Sequence, residues 1–335
     1  MRTRTVWLSA LSVAALAATT AVSAPAASGG ALPPGLTVVA SGLAAPAHIA
    51  FGPHHTLYAA NIGSGTITRS DLRTGATTTV RGGLGFSPGV AVGEDGHVFF
   101  TASQGDIEAG ASAAGLFRVT RSGTRAVADT LAWETAHNPD GQQLAGDSTS
   151  NPYSVLALDD REIVADAGAN DLLVVGRRGV RRTLTVFPVI HDGPDCSVRP
   201  DNGGIGTGCD PTPTDVELGP DGFLYVSGLS GGAAGQGRIY KVNLRSGAIV
   251  RTWDGLPPLT GIAVAHDGTI YAAAPDLAVL NGAPGPDTSA VLRIRHGVVA
   301  TAYVPVPTDV EIGHGMVAVS SFAGVVFSVS SAAFH

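Results

Sequence analysis

One sequence phrase occurs six times in this chain of 335 residues, and it limits the possible folds more than any other feature. The phrase is an apolar strand, usually introduced by proline, then a tight turn built on Gly, Asp or His, then a second apolar strand. Its copies lie at 46–61, 87–101, 151–167, 212–228, 259–274 and 307–321. Equivalent positions recur at intervals of 41 to 65 residues, which is typical of four-stranded propeller blades.

Further strands complete the pattern. A third strand is predicted after each copy, at 65–70, 115–120, 172–176, 237–242, 290–294 and 324–330, and a fourth strand follows the first five. The chain ends at His335 without a sixth fourth strand, but a matching strand stands at 36–43, just ahead of the first copy. We therefore predict an all-β, six-bladed β-propeller of four-stranded antiparallel blades, closed by the N-terminal strand completing the last blade. A β-sandwich of many hairpins is the alternative.

The first residues have the pattern of a secretory signal. Arg2 and Arg4 precede an apolar stretch at 6–18 and then small residues around 22–26. The stretch is shorter than the about 20 residues that a membrane span needs, which argues against an uncleaved anchor. We predict a signal peptide over 1–26, a single propeller domain over 27–335, and a secreted protein.

Charge and cysteine content limit which partners the protein is expected to bind and in which compartment it is expected to fold. The formal net charge is −7, and Lys241 is the single lysine, so neither nucleic acid nor an anionic membrane is expected as a partner. Cys196 and Cys209 lie 13 positions apart, and in an oxidising compartment a disulfide is expected. Two free thiols, or half of a metal site, are the alternatives. We expect a monomer.

Connection lengths predict a functional face. The turns within each strand 1–2 and strand 3–4 hairpin are short, whereas the long connections, 102–114, 130–150, 189–211, 228–236 and 274–289, all fall on the opposite rim. Long loops on one rim of a rigid scaffold commonly carry binding. This top face is therefore predicted to bind a small molecule, a glycan or a protein.

One block of the sequence resembles a known family. NPYSVLAL at 151–158, followed by ADAGANDLLVV at 165–175, resembles the ScyD/ScyE family of secreted bacterial propellers and, more distantly, the NHL-repeat and gluconolactonase-like propellers. The resemblance extends over nearly the whole mature chain and implies fold and export, but no reaction or catalytic residues. Gluconolactonase-like propellers hold a divalent metal through Glu, Asn and Asp side chains, and that set has no position-by-position match here.

The position just before each innermost strand is expected at the top mouth of the central channel. Across the six blades it holds His48, Gly89, Ser154, Asp215, Gly261 and Asp309. The two carboxylates, the histidine and the serine could hold Ca²⁺, with Asp215 and Asp309 as its ligands, or supply an acid/base pair. Blade six adjoins blade one, so Asp309 and His48 are expected to be close. The alternative is that the aspartates cap backbone amides.

Two glutamates lie further along the same strands. Glu217 and Glu311 stand where the other blades carry alanine or leucine. A buried carboxylate needs a partner or a shifted pKa, so these residues could form a channel pair tuned for catalysis or metal binding. Salt bridges to arginines of neighbouring blades are the alternative.

Four loop residues are further candidates. Asp166 and Asn170 of the DAGAND turn, and Asn61 in an equivalent short loop, could coordinate a ligand or form side-chain to backbone turn bonds. Tyr153 could join residues of the second interblade loop, Trp133 among them, in an aromatic and polar pocket wall.

No motif for a covalent nucleophile, a zinc protease or a phosphate-binding loop is present. Our leading hypothesis is an exported binding module or scaffold that uses its top face and channel mouth. The alternative is a divalent-metal-assisted hydrolase or lactonase at the central channel.

Overall fold

Six four-stranded antiparallel sheets form the ring that the repeats predict. The computed structural model describes residues 32–103, 114–141, 150–198, 207–283 and 286–335. The predicted signal peptide lies outside these residues, as do parts of several top loops. Strands one to four of each blade run from the channel outward, in sequence order in blades 1 to 5.

The strand bounds follow the sequence repeats closely. Blade 1 contains β2 (Pro46–Gly52), β3 (Thr56–Asn61), β4 (Thr66–Asp71) and β5 (Thr77–Arg81). Blade 2 contains β6 (Val90–Val92), β7 (Val98–Ser103), β8 (Ala114–Thr120) and β9 (Gly123–Asp129). Blade 3 contains β10 (Pro152–Ala157), β11 (Glu162–Asp166), β12 (Asp171–Gly176) and β13 (Gly179–Val186).

The second half of the ring repeats the plan. Blade 4 contains β14 (Pro213–Leu218), β15 (Phe223–Gly228), β16 (Gly237–Asn243) and β17 (Ile249–Leu256). Blade 5 contains β18 (Gly261–Val264), β19 (Ile270–Ala274), β20 (Ala290–Arg295) and β21 (Val298–Ala302). Blade 6 contains β22 (Pro307–Gly313), β23 (Met316–Ser321), β24 (Val325–Val329) and, from the other end of the chain, β1 (Leu36–Ser41).

The two ends of the chain close the ring. Strand β1 pairs antiparallel with β24, from Leu36 opposite Val329 to Ser41 opposite Val325, with a bulge between Val38 and Ala40. Closure leaves no terminal blade with an exposed inner face, which is the physical reason for sharing one blade between the termini. The prediction of a closed six-bladed ring is confirmed.

Apolar side chains fill the spaces between adjacent blades. One cluster joins blades 1 and 2 and includes Ile67, Val90 and Phe100, all buried. Phe100 and Phe117 stack with ring centroids 5.4 Å apart. The core is therefore a ring of apolar clusters, each between two neighbouring blades. Polar side chains line the channel at the centre of this ring.

Short helices lie in the top connections. Helix α1 (Thr130–His137) lies in the connection between blades 2 and 3, α2 (Gly193–Cys196) precedes the disulfide loop, and α3 (Leu277–Leu280) follows β19. Single 3₁₀ turns lie at Ser230–Gly232 and Ser331–Ala333. Among the described helices, none is long and apolar enough to cross a bilayer.

Candidate functional site at the channel mouth

A cavity of about 220 Å³ occupies the axis of the ring. Its walls are the innermost strands of blades 1, 2, 3, 4 and 6. The six channel candidates from the sequence all line it: His48, Ser154, Asp215, Glu217, Asp309 and Glu311. The repeat alignment thus placed these side chains around a common space.

His48 reaches across the ring from blade 1 towards blade 4. Its Nδ1 lies 3.0 Å from the carbonyl oxygen of Pro88, which can only accept, so Nδ1 carries the proton. The other ring nitrogen, Nε2, is buried, has no hydrogen-bond partner in the described part of the chain, and lies 3.8 Å from Asp215 Oδ1. When His48 is neutral, the lone pair of Nε2 faces the carboxylate, and the two acceptors can share only a cation, whether a proton or a metal ion.

Asp215 and Asp309 each join their own blade to the next one. Asp309 Oδ2 accepts from the Ile49 amide at 2.9 Å, and Oδ1 accepts from the Val310 amide at 2.8 Å. Asp215 Oδ2 accepts from the Ile262 amide at 2.9 Å in the same manner. The two carboxylates therefore hold backbone amides, as the structural alternative from the sequence proposed.

These hydrogen bonds leave acceptor capacity in both carboxylates. Asp215 Oδ1 takes a second donor, the Ser154 hydroxyl of blade 3 at 2.6 Å, in addition to the Val216 amide at 2.8 Å. Each oxygen of Asp309, by contrast, receives a single hydrogen bond from the described residues and retains a second lone pair. Holding the blades together and binding a cation are compatible roles for these side chains.

Glycine occupies the remaining two mouth positions because neighbouring blades approach them closely. A Cβ on Gly261 would lie 2.5 Å from both Cα and Oδ1 of Asp309. A Cβ on Gly89 would lie 2.6 Å from Thr101 Oγ1 and 2.8 Å from the carbonyl oxygen of Tyr153. The absence of side chains at these two positions is what lets Asp309 and Ser154 sit at the mouth.

The channel concentrates negative charge. Burial, with Asp215 and Glu311 nearby, raises the pKa of Asp309 well above its ordinary value, although its two amide hydrogen bonds act in the opposite direction. Burial and the Asp215 carboxylate raise the pKa of Glu217 to about 8. Burial, Glu217 and Asp215 likewise raise the pKa of Glu311. Each carboxyl resists ionisation because the others are close and water is scarce.

Arginine does not neutralise the two glutamates. Within the described residues, no ion pair joins Glu217 or Glu311 to an arginine or a lysine, so the salt-bridge alternative finds no support there. Both side chains are half-buried and face the cavity.

Three mouth residues fit a single metal ion. One ligand atom from each of His48, Asp215 and Asp309 lies within 4.8 Å of the other two. Donors with that spacing can all contact one ion at the about 2.0–2.6 Å typical of metal–ligand bonds. The set includes a histidine, and so differs from the Glu, Asn and Asp set of gluconolactonase-like propellers.

Of the four loop candidates, only Tyr153 lies near this site. Asn61 accepts from the Ala44 amide at 3.0 Å and donates to Thr68 Oγ1 at 2.9 Å, which closes its own turn. Tyr153 is near the mouth, with its ring edge-on to His48 at 5.4 Å. Burial, with Asp309 and Asp215 nearby, raises the pKa of Tyr153 to about 12, so it stays a neutral hydroxyl.

The DAGAND turn is held together by its own side chains. Asp166 Oδ1 accepts from the amides of Asn151, Gly168 and Ala169, and Oδ2 accepts from the Ser150 hydroxyl at 2.6 Å. Asn170 accepts from the Thr212 amide at 3.1 Å and so ties blade 3 to blade 4. These bonds are the turn-forming alternative that the sequence left open.

Sequence reasoning missed one group of carboxylates. Glu134 of helix α1 is almost completely buried, as is Asp171 at the start of β12, and both lie near Asp140 and Asp166. The available signal was the segment DTLAWETAH at 129–137, an Asp cap before good helix formers, which predicts a helix and not a loop.

The predicted disulfide is present. Cys196 and Cys209 are bonded, with their Cα atoms 4.9 Å apart, and both are buried against Ile190 and Ala233. A disulfide indicates an oxidising compartment. It closes the long top connection between blades 3 and 4.

Solved propellers share this fold. A gluconolactonase from Xanthomonas campestris superposes with a TM-score of 0.57 at 12% identity, covering 88% of this chain and 88% of that one. The WD40 propeller domain of Doa1 gives 0.55 at 14%, over 89% and 97%. Virginiamycin B lyase from Staphylococcus aureus gives 0.52 at 10%, over 84% and 79%. At these identities the likeness shows the fold alone.

No protein-family profile matches the chain, and no curated protein matches its sequence. The resemblance to the ScyD/ScyE family stays a prediction.

Proposed function

We propose that this chain is an exported binding propeller whose channel mouth holds one divalent cation and whose top face binds a small molecule, a glycan or a protein. The observation that carries the proposal is the buried, unpartnered Nε2 of His48 beside Asp215, with Asp309 in ligand reach. A positive ion there removes the repulsion between the lone pairs. It also favours the ionised form of the glutamates below, whose pKa values are raised in its absence.

The donor set bears on the kind of ion. Carboxylates suit Ca²⁺, Mg²⁺ and Mn²⁺, whereas imidazole suits Zn²⁺ and other transition ions. A site with one imidazole and two carboxylates, supported by Ser154 from its place beside Asp215, therefore favours Mn²⁺ or Zn²⁺ over the Ca²⁺ expected from the carboxylates alone.

The size of the channel favours binding at the rim. The cavity of about 220 Å³ is smaller than the about 300–1,000 Å³ of common ligand pockets, and so fits an ion with a few waters better than a glycan. A larger partner would contact the top loops, with the ion beneath it. Export agrees with the disulfide and with the signal predicted over 1–26.

A metal-assisted hydrolase or lactonase is the second candidate. It is favoured by Glu217 and Glu311, whose raised pKa values keep protons available in the same cavity as the ion site. A bound divalent ion would supply positive charge to polarise a carbonyl oxygen. Glu217 would then give or take the proton at the reacting oxygen.

Thermal unfolding of the EDTA-stripped chain tests the proposal. Mn²⁺, Zn²⁺ and Ca²⁺ are added separately to the native chain, to His48→Gln and to Asp95→Asn, a control that removes an exposed carboxylate far from the mouth. We expect one of the ions to raise Tm in the native chain and the control but not in His48→Gln. An equal rise in all three proteins with Mn²⁺ or with Zn²⁺, and no ion that distinguishes His48→Gln, would refute the mouth site. Turnover of a panel of lactones that is lost in Glu217→Gln would favour the second candidate.

A further inference from the structure

Helix α1 carries a carboxylate into the interior between blades 2 and 3. Asp129 caps the helix by accepting from the Ala132 amide at 2.8 Å, and Asn138 ends it in the left-handed conformation. Between these caps Glu134 falls on the inner face, with 1% of its surface exposed. Ser150 donates to Thr130 at the start of the helix or to Asp166 of the turn at 166–171, and so ties the two segments together; the region between them is called the chamber below.

Two carboxylates of this chamber lack the partners that burial demands. Among the residues that the structure describes, neither carboxylate oxygen of Glu134 has a hydrogen-bond partner, and Asp171, which is completely buried, has none at Oδ1. Asp171 Oδ2 accepts one bond, from Thr183 Oγ1 at 3.3 Å. An unsatisfied buried carboxylate is costly, and here three oxygens on two side chains share that condition.

The neighbouring groups add negative charge. Asp166 accepts hydrogen bonds from its own turn, Asp140 accepts from Asn170 at 3.1 Å, and both lie close enough to Glu134 to raise its pKa. In the described part of the chain no ion pair reaches Glu134 or Asp171 from a lysine or an arginine. The nearby His137 on α1 is exposed, and its Nδ1 is bound to the Trp133 carbonyl.

The pKa values of Glu134 and Asp171 are shifted in the direction that an excess of buried negative charge predicts. Burial, then Asp140 and Asp166, raise the pKa of Glu134 to about 8. Burial, then Asp166 and Glu134, raise the pKa of Asp171 well above its ordinary value. Without a cation Glu134 keeps its proton near neutral pH.

We propose that the chamber is a calcium site, distinct from the channel mouth, in which Glu134 Oε1 and Oε2 and Asp171 Oδ1 bind Ca²⁺ and Asp140 and water complete the shell. Every donor is oxygen, a set that suits Ca²⁺, Mg²⁺ and Mn²⁺ and disfavours Zn²⁺. Ca²⁺ accepts six to eight oxygens in irregular arrangements, whereas Mg²⁺ requires a near-ideal octahedron. Bidentate glutamate is a frequent Ca²⁺ ligand.

Binding would pull helix α1 onto the turn at 166–171. No three ligand residues of the described chamber have donor atoms within 4.8 Å of one another, unlike the mouth group, so the ion has to draw Glu134 and Asp171 together. The site would therefore fix helix α1 against blade 3.

Trp133 provides a local probe. Its Nε1 donates to Thr183 Oγ1 at 3.0 Å, and Thr183 in turn donates to Asp171 Oδ2, which places the indole two hydrogen bonds from a proposed ligand of the ion. Tb³⁺ replaces Ca²⁺ at oxygen sites and emits when a nearby indole is excited. Excitation at the red edge of indole absorption avoids Tyr153 near the mouth.

The test uses Tb³⁺ emission of the purified chain, with competition by Ca²⁺. We expect emission that Ca²⁺ abolishes, that Trp133→Phe and Glu134→Gln reduce at least tenfold, and that Asp309→Asn and the exposed control Glu94→Gln leave unchanged. Ca²⁺ at a hundredfold excess over Kd should raise Tm by about 3–6 °C in the native chain but not in Glu134→Gln.

Contrary results are equally definite. No Trp-sensitised emission from the native chain, or emission that persists in Glu134→Gln, overturns the chamber site. Loss in Asp309→Asn but not in Glu134→Gln would assign the ion to the mouth. Should Glu134→Gln fail to fold, Asp171→Asn and the Trp133→Phe comparison give the same decision.

Discussion

His48 Nε2 lies 3.8 Å from Asp215 Oδ1, although the two residues belong to opposite blades of the ring. The contact spans the channel because the mouth is narrow and because Pro88 fixes the other ring nitrogen. A six-bladed ring places a residue of blade 1 directly across from one of blade 4. Any cation bound between them therefore links the two halves of the propeller.

Asp309→Asn should weaken the ring in the absence of metal. The amide can accept from only one of the two backbone donors that the carboxylate now satisfies, the amides of Ile49 and Val310. An unsatisfied buried donor costs about 1–3 kcal/mol, so the free energy of unfolding in EDTA should fall by that amount. Urea unfolding measures it. An unchanged midpoint would show that the hydrogen bonds of Asp309 between blades 6 and 1 contribute nothing to stability.

Gly261→Ala should be more harmful than most glycine substitutions. Its Cβ would meet the Cα and Oδ1 of Asp309 at 2.5 Å, a backbone contact that cannot relax cheaply. We expect a loss of about 3 kcal/mol or more, in the range of severe core overpacking. Gly82→Ala is the matched control, since its Cβ has only Thr66 Cγ2 within reach, at 3.6 Å. Equal stability of the two variants, measured by urea unfolding, would contradict the close approach.

Glu134 should make stability depend on pH when metal is absent. Its pKa is about 8 in the folded chain against an ordinary value of 4.5, so between these values the folded state holds a proton that the unfolded state has released. The free energy of unfolding therefore falls as pH rises from about 4.5 through 8. Asp171 has the same sign, while Asp140 and Asp166 strengthen the effect as neighbouring charges.

Glu134→Gln isolates this contribution from those of the channel carboxyls. In EDTA at pH 8.5 the variant should be more stable than the native chain by roughly 1–3 kcal/mol, the cost of the unpaired buried group. At pH 4.5 the two should be nearly equal. Urea midpoints at both pH values check this. A difference that does not change with pH would mean that Glu134 titrates normally.

Removing the disulfide should destabilise the top connection but preserve the blades. Cys196 and Cys209 are 13 residues apart, and cross-linking a loop near that length contributes about 3 kcal/mol. The double variant Cys196→Ser, Cys209→Ser should lose about that much stability while its far-ultraviolet circular dichroism stays unchanged. Loss of the β spectrum would instead make the bridge essential to the ring.

The sequence was enough to predict the ring of blades and the residues at the channel mouth, because both follow from the repeated sequence phrase. Aligning Ile49 with Val310 and their counterparts fixes the blade register. The residue immediately before each of these aligned positions then lies at the same height along the channel axis. Even the N-terminal strand was recognisable, since 36–43 occupies the place that other fourth strands hold before their next blade.

The sequence could not predict the hydrogen bonds between neighbouring blades. Nothing in the repeat indicates that Asp215 bonds to Ile262 of one neighbour and Ser154 of the other, because these contacts depend on the approach of separate sheets. Glu134 escaped notice for another reason. It belongs to a connection outside the repeat, where only the cap at Asp129 marks a helix.

Crystals of the EDTA-treated chain soaked in MnCl₂ provide the most direct measurement of the channel claim. Anomalous diffraction should show a manganese peak on the channel axis within about 2.6 Å of His48 Nε2 and of an oxygen from both Asp215 and Asp309. The peak should be absent in crystals of His48→Gln. A native map without a peak at the mouth, or with His48 Nε2 turned towards a protein donor, would contradict the account.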